Sequence, residues 1–204
     1  MRRSALSVGS VLLAAGRASR MEGRHKLLAE FDGVPLVRRS ADMLFASLAS
    51  PIVVVTGHRC EEIEASLAGL DLVIRFNADH ASGMASSLVC GLAEPKIAGQ
   101  DGVLVMPADM PGITASDIDR LVDAFREASG NAIIRAAHGE RSGNPVILPK
   151  ALYGDLMQLR GDIGARRLIE ECGLRIITVD IGPAALLDVD TPEAVSASGG
   201  VLKG

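Results

Sequence analysis

The sequence predicts an α/β protein with a mainly parallel central sheet and helices on both faces. Short apolar runs bounded by Gly or Pro recur along the chain, and helical patterns fall between them. The runs are continuous and rich in β-branched residues, as strands buried on both faces require. Strands that alternate with helices in this way form a doubly wound, three-layer single domain. The predicted strands are 10–15, 51–56, 71–76, 102–106, 131–136, 145–148 and 175–180.

The predicted helices are amphipathic, and the clearest covers 114–128. It starts at Thr114 with Asp117 three residues later, the spacing of a capping box. Its apolar positions follow the helical period, with Ile118, Leu121, Val122 and Phe125 on one face. The other predicted helices are 36–49, 60–68, 84–93, 150–158 and 162–172. Ligands of such sheets bind outside the carboxyl ends of the strands, so the loops there are the place to look for a site.

The length of 204 residues fits one domain. We expect a tail over 1–8 and a single domain over 9–204. The first 21 residues carry several Arg and Ser and no acidic residue, a composition that transit peptides share, so a cleaved leader is the alternative to a plain tail.

Composition excludes several classes of function. With 2% aromatic residues and a net charge of −4, the chain lacks both the stacking platforms for single strands and the basic surface for duplexes. No apolar run approaches the roughly 18 residues of a membrane span. Three scattered cysteines (Cys60, Cys90 and Cys172) form no zinc or disulfide pattern and favour a reducing compartment, the cytoplasm.

The loop after the first strand concentrates positive charge. Arg17, Arg20, Arg24, His25 and Lys26 lie within ten residues of a net-acidic chain. Gly16 and Gly23 would let backbone N–H groups approach a ligand closely. The loop matches neither the Walker A nor the GxGxxG pattern. It predicts a polyphosphate cradle, and a solvated basic loop is the alternative.

The string LAAGRASRM, followed by Lys26, resembles the signature loop of nucleotidyltransferases that activate small phosphorylated molecules. The molybdenum cofactor cytidylyltransferase and guanylyltransferase group is the nearest in pattern. The resemblance runs from about residue 10 to 195 and implies the nucleotide-diphospho-sugar transferase fold. Its further segments are GMASSL (83–88), MPADMPG (106–112), GNPVIL (143–148), GDIGARRL (161–168) and LLDVDTPEA (186–194).

This resemblance implies roles for the first loop. Leu13, Ala14, Ala15 and Gly16 match positions that contact the base and the triphosphate, and Arg20 and Lys26 match the residues that hold the phosphates. Arg and Lys suit phosphate oxygens chemically. Residues 22–25 make the spacing to Lys26 longer than in the compact family form, which leaves open which cation reaches the α-phosphate.

Asp109 follows the buried run 103–107, where a sheet presents catalytic groups, although an Asp there also suits a turn. The resemblance implies that it binds metal. Mg²⁺ prefers one or two carboxylates together with phosphate oxygens, so a second acid is expected. Asp188 and Asp190 alternate along an extended segment and should face opposite ways. We favour Asp188 as the ligand and assign Asp190 to the start of the last helix, with Pro192 at its first position.

Further candidates lie in the middle of the chain. Asn77, Gly83, Ser86 and Ser87 surround a predicted helix start whose free N–H groups suit an anion or a base edge, and the resemblance implies base and ribose contacts. A plain helix cap is the alternative. His58 is interpreted as a loop histidine. Near the acceptor, Asp162 and Arg166 either touch the second substrate or belong to a capped helix with an exposed Arg.

Together these features predict a Mg²⁺-dependent transfer of CMP from CTP to the phosphate of molybdopterin, with release of pyrophosphate. Arg20, Lys26 and Asp109 would carry the catalysis. Ala15, where guanylyltransferases of the group carry Gly, favours CTP. The alternatives are a guanylyltransferase that uses GTP, an enzyme acting on a sugar or alditol phosphate, and a non-catalytic nucleotide-binding regulator. A transient complex with a molybdoenzyme chaperone is left open.

Overall fold

The structure is a computed structural model that describes residues 5–18, 20–21, 23–161 and 164–203, without the side chains of 164–166. The strands are β1 (Val8–Ala14), β2 (Glu30–Phe31), β3 (Val34–Pro35), β4 (Ile52–Thr56), β5 (Val73–Phe76), β6 (Gly102–Pro107), β7 (Ala132–His138), β8 (Arg141–Pro149), β9 (Arg175–Asp180) and β10 (Gly200–Val201). The helices are α1 (Leu36–Phe45), α2 (Cys60–Ser66), α3 (Met84–Leu92), α4 (Pro95–Ala98), α5 (Ala115–Glu127), α6 (Tyr153–Leu156), α7 (Gly164–Glu171) and α8 (Pro192–Ala197).

Seven strands form the central sheet in the order β5-β4-β1-β6-β8-β7-β9. All of its pairs are parallel except those of β8, which runs antiparallel to β6 and to β7. The predicted doubly wound, mainly parallel sheet is confirmed. Six of the seven predicted strands are present within two residues at either end, and β8 begins at Arg141, four residues before the predicted 145–148. β1 begins at Val8, two residues before the predicted strand, and the Ser7 backbone N–H donates to Asp101.

Burial explains the apolar runs. Val11 and Leu12 are adjacent in β1 and both fully buried, but they belong to two different core clusters on opposite faces of the sheet. A strand covered on both faces favours apolar residues throughout. The exception in β1 is the buried Ser10, whose hydroxyl donates to the Ala49 carbonyl at 3.3 Å. The chain turns from one side of the sheet to the other at β1, which lies between β4 and β6. This reversal is the point at which such sheets bind ligands.

A small sheet of β10, β2 and β3 was not predicted. Its strands have two residues each, too few for a recognisable period. It packs a third core cluster that includes Met21, Phe31 and Val189. This cluster ties the basic loop to the segment that carries Asp188 and Asp190. No helix in the described ranges is long and apolar enough to cross a membrane.

The predicted capping box at the start of α5 is confirmed. Thr114 Oγ1 accepts from the Asp117 backbone N–H at 3.2 Å, and the Asp117 carboxylate accepts from the Thr114 N–H at 3.0 Å. We expect Thr114→Ala to lower the free energy of unfolding by about 1 kcal/mol, since one orphan N–H loses its acceptor. Urea unfolding measures the change. Ser116→Ala, an exposed position in the same turn, is the control, and equal losses in both variants would contradict the capping role.

Candidate functional site

A cavity of about 290 Å³ opens at the carboxyl ends of β1 and β6. β1 ends at Ala14 and β6 ends at Pro107, so Gly16 and Asp109 lie just beyond the two buried strands at this edge of the sheet. The cavity has an apolar wall and a charged corner. Its lining residues are Leu13, Ala15, Gly16, Lys26, Leu27, His80, Gly83, Met84, Ser87, Pro107 and Asp109.

The charged corner is built around Lys26. The Lys26 ammonium pairs with Oδ2 of Asp109 and, at 2.5 Å, with Oδ1 of Asp190. The side chains of Lys26 and Asp109 are 14% and 15% exposed, so this pair is largely shielded from water, whereas Asp190 is 42% exposed. A short 3-10 turn at Lys26–Leu28, anchored by the buried Leu27, directs the ammonium inward.

These contacts set the protonation of the corner. Burial alone would lower the pKa of the Lys26 ammonium, but Asp109 and Asp190 raise it above its ordinary value. The hydrogen bond from Lys26 holds the pKa of the Asp190 carboxyl below its usual range. Burial raises the pKa of Asp109, and the charge of Lys26 opposes that shift. Lys26 therefore stays cationic, held between two acids.

Three carboxylates converge beside Lys26. Asp109, Asp188 and Asp190 each offer one oxygen, and these oxygens lie within 4.8 Å of one another. Oδ1 of Asp109 is buried and has no hydrogen-bond partner in the described part of the chain. A buried carboxylate oxygen without a donor is costly unless a cation satisfies it. The oxygen set therefore fits a hard divalent cation such as Mg²⁺.

Two expectations about the 188–190 segment are wrong. Asp188 and Asp190 do not face opposite ways, because their carboxylates share one cluster. The segment is not a strand, and the backbone N–H of the buried Val189 donates to the Asp109 carbonyl at 3.0 Å. Asp190 is also more than a helix start. Thr191 caps α8, which leaves the Asp190 carboxylate to Lys26 and Arg20.

Arg20 lies at the outer edge of the same corner. Its guanidinium is 3.3 Å from Oδ2 of Asp190, and its side chain is 72% exposed. Ser19 and Glu22, which flank it, lie outside the described residues. An exposed arginine can reorient toward a ligand at little cost. Arg20 is thus placed to reach an anion that extends out of the cavity along Gly16 and Ala18.

The first strand divides its predicted ligand positions between two faces. Leu13, Ala15 and Gly16 line the cavity, whereas Ala14 packs into the core on the opposite face of the sheet. Period-two alternation in β1 produces this division. Any role of Ala14 in binding would therefore belong to its backbone.

The Asn77 side chain is occupied by the fold. Its amide donates to Oγ of Ser86 at 2.9 Å and of Ser87 at 3.0 Å, and its oxygen accepts from the Asp79 backbone N–H. Ser87 and Gly83 line the cavity, but Asn77 and Ser86 do not. Through these hydrogen bonds, the Asn77 side chain holds the first turn of α3 in place. Asp162 and the side chain of Arg166 lie outside the described residues, and their predicted roles stay predictions.

Three histidines beside the loop were not singled out as a group. His25, His58 and His80 follow β1, β4 and β5, with ring centroids 5.8 Å and 6.4 Å apart. His25 is 3% exposed, its Nε2 lies 3.2 Å from the Gly16 carbonyl, and burial lowers its pKa to about 4. It is therefore neutral and does not add to the positive charge of the loop. The sequence signal that could have grouped these histidines is that each follows one of three neighbouring strands of the central sheet.

Comparisons with known proteins agree with this geometry. A family model described as MobA-like NTP transferase domain matches residues 10–176. Nicotine blue oxidoreductase of Paenarthrobacter nicotinovorans is 27% identical over 91% of this chain and 93% of its own length. Molybdenum cofactor guanylyltransferase of Pseudomonas paraeruginosa is 28% identical over 95% and 96%. A nucleotidyl transferase structure from Methanothermobacter superposes with a TM-score of 0.80 at 24% identity, covering 95% and 96% of the two chains, which shows the shared fold.

Proposed function

The chain belongs to the MobA-like NTP transferase family, and we propose that it transfers CMP from CTP to the phosphate of a small acceptor, with molybdopterin favoured. Membership makes it a nucleotidyltransferase, as relatives named guanylyltransferase support. One relative is named an oxidoreductase, so the choice of nucleotide and acceptor is argued from the residues of this site. The observation that carries the proposal is the meeting of Lys26, Asp109 and Asp190 beside the cavity.

In the proposed reaction a phosphate oxygen of the acceptor attacks the α-phosphorus of CTP in line, and the bond to pyrophosphate breaks. No covalent intermediate on the protein is needed, so the residues position the reactants and neutralise charge. Lys26 exchanges its carboxylate partners for the phosphates, and Arg20 reaches them from the rim. Asp109, with Asp188 or Asp190, would hold Mg²⁺, which supplies Lewis-acid polarisation of phosphate oxygens when bound.

The preference for CTP rests on Ala15. Its methyl group lines the cavity beside Leu13 and Ser87, and the residue is 5% exposed. A methyl on this wall leaves less room for a purine than a glycine would. The relatives named guanylyltransferase handle the larger base, so this position is where the chain would differ. Discrimination by shape is worth about 1–3 kcal/mol.

We expect Ala15→Gly to relax the base preference. The ratio of kcat/KM for CTP to that for GTP should fall by about tenfold, because the variant admits the purine. Steady-state pyrophosphate release with each nucleotide measures it. Ala136→Gly is the matched control, since Ala136 is a buried alanine of β7 that does not line the cavity, and its ratio should stay constant. Equal use of CTP and GTP by the wild-type protein would overturn the preference.

Pyrophosphate release also tests the reaction. With Mg²⁺ and CTP, release should require molybdopterin, and replacing it with a sugar or alditol phosphate should give none. Release without any acceptor would indicate a hydrolase. Binding without release under every condition would indicate a regulator. Thermal shifts against CTP, GTP, ATP and UTP rank the bases, because a ligand at about 100 times its Kd adds about 2.7 kcal/mol of stability.

The protein partner and the cellular compartment are further parts of the proposal. A molybdoenzyme chaperone is the candidate protein partner, and the cytoplasm is the proposed compartment. The three cysteines are free thiols in the structure, as a reducing compartment allows.

A further inference from the structure

We propose that His80 is a base-binding residue that donates a hydrogen bond from Nε2 to the nucleobase. The inference rests on the nucleotide site proposed above and adds a side-chain contact to it. His80 lies in the 3-10 turn His80–Ser82 that follows β5, directly before Gly83 and α3. Its ring lines the cavity together with Ala15 and Ser87.

The surroundings of His80 place it at the apolar end of the cavity. A Cβ on Gly57 would lie 2.7 Å from Cβ of His80 and 2.9 Å from Cβ of Ala15, so both side chains pack over this glycine. The His80 backbone N–H donates to the Asn77 carbonyl at 3.3 Å, and Asn77 in turn holds Ser87. The phosphate-binding charges, in contrast, gather around Lys26. The ring thus borders the part of the cavity that a flat base would fill.

The two ring nitrogens of His80 have different environments. Nδ1 is shut off from solvent and has no hydrogen-bond partner within the described ranges. A buried N–H without an acceptor is unfavourable, which favours the tautomer that carries its proton on Nε2. Nε2 is then the donor of a residue that lines the cavity. Pyrimidine carbonyl oxygens and ring nitrogens are acceptors of the matching kind. Among the described residues that line the cavity, the other side-chain N–H donor is Lys26, which lies at the charged corner.

Calorimetric titration of the full chain with CTP, CMP and pyrophosphate, each with Mg²⁺, tests the contact. His80→Phe keeps an aromatic ring over Gly57 but removes the donor. We expect it to raise the Kd of CTP and of CMP by the same factor, about three- to tenfold, and to leave pyrophosphate binding unchanged. His80→Gln, whose amide nitrogen reaches nearly as far as Nε2, should restore most of the affinity. His138→Phe, at the exposed end of β7, is the matched control.

The outcomes separate this inference from the function beneath it. Wild-type affinity for CTP in His80→Phe would overturn the base contact and leave the nucleotide site standing. A loss that extends to pyrophosphate would also overturn it, because His80 would then serve the phosphates. A wild-type chain that binds none of the three ligands would overturn both proposals. If His80→Phe does not fold, His80→Ala makes the same comparison.

Discussion

Asp109→Asn is expected to reduce turnover by about a hundredfold or more while the fold remains intact. The change removes a negative charge but keeps the shape of the side chain. Asp109 is the least exposed member of the three-carboxylate cluster, and its Oδ1 has no partner in the described structure. Groups that stabilise developing charge in a shielded site contribute about 3–4 kcal/mol to the transition state. Pyrophosphate release under single-turnover conditions measures the loss.

The control for Asp109→Asn is Glu127→Gln, which makes the same change of charge at the exposed last residue of α5. Its rate should equal that of the wild type. If Asp109→Asn retains more than about a tenth of the wild-type rate, a loss below about 1.4 kcal/mol, the metal role of Asp109 is wrong. Comparison of Asp188→Asn with Asp190→Asn then identifies the second ligand. The variant with the weaker Mn²⁺ affinity, titrated without nucleotide, is the one that has lost it.

The sequence predicts this fold well because burial on both sheet faces leaves a clear pattern. The apolar runs of β1, β4 and β6 cannot be amphipathic helices, and the residues that follow them must lie at one edge of the sheet. Lys26 and Asp109 were predicted for that reason and from the family resemblance, and the structure brings their side chains together. Their catalytic roles stay predictions.

The failures have physical causes that a one-dimensional pattern does not contain. Alternation holds for regular strands, but the segment with Asp188 and Asp190 is held by a backbone hydrogen bond from Val189 to Asp109. His25 belongs to a basic stretch by composition, yet burial keeps it neutral. The Asn77 side-chain amide donates hydrogen bonds to two serine hydroxyls that only the folded chain brings near it. Each case depends on tertiary contacts.

Lys26→Met is expected to weaken CTP binding by about tenfold or more and CMP binding by less than about threefold. We expect the Lys26 ammonium to neutralise charge on the β- and γ-phosphates, which CMP lacks. In the structure the same ammonium pairs with Asp109 and Asp190, so it competes with any cation for these carboxylates. Lys26→Met should therefore bind Mn²⁺ more tightly in the absence of nucleotide, even as it binds CTP more weakly. Calorimetry with each ligand checks the direction of both changes, and Lys150→Met, an exposed lysine outside the cavity, is the control.

Two outcomes would contradict this role of Lys26. Equal weakening of CTP and CMP binding would place Lys26 on the base or ribose. Weaker Mn²⁺ binding would show that Lys26 supports the acidic cluster rather than competing for it.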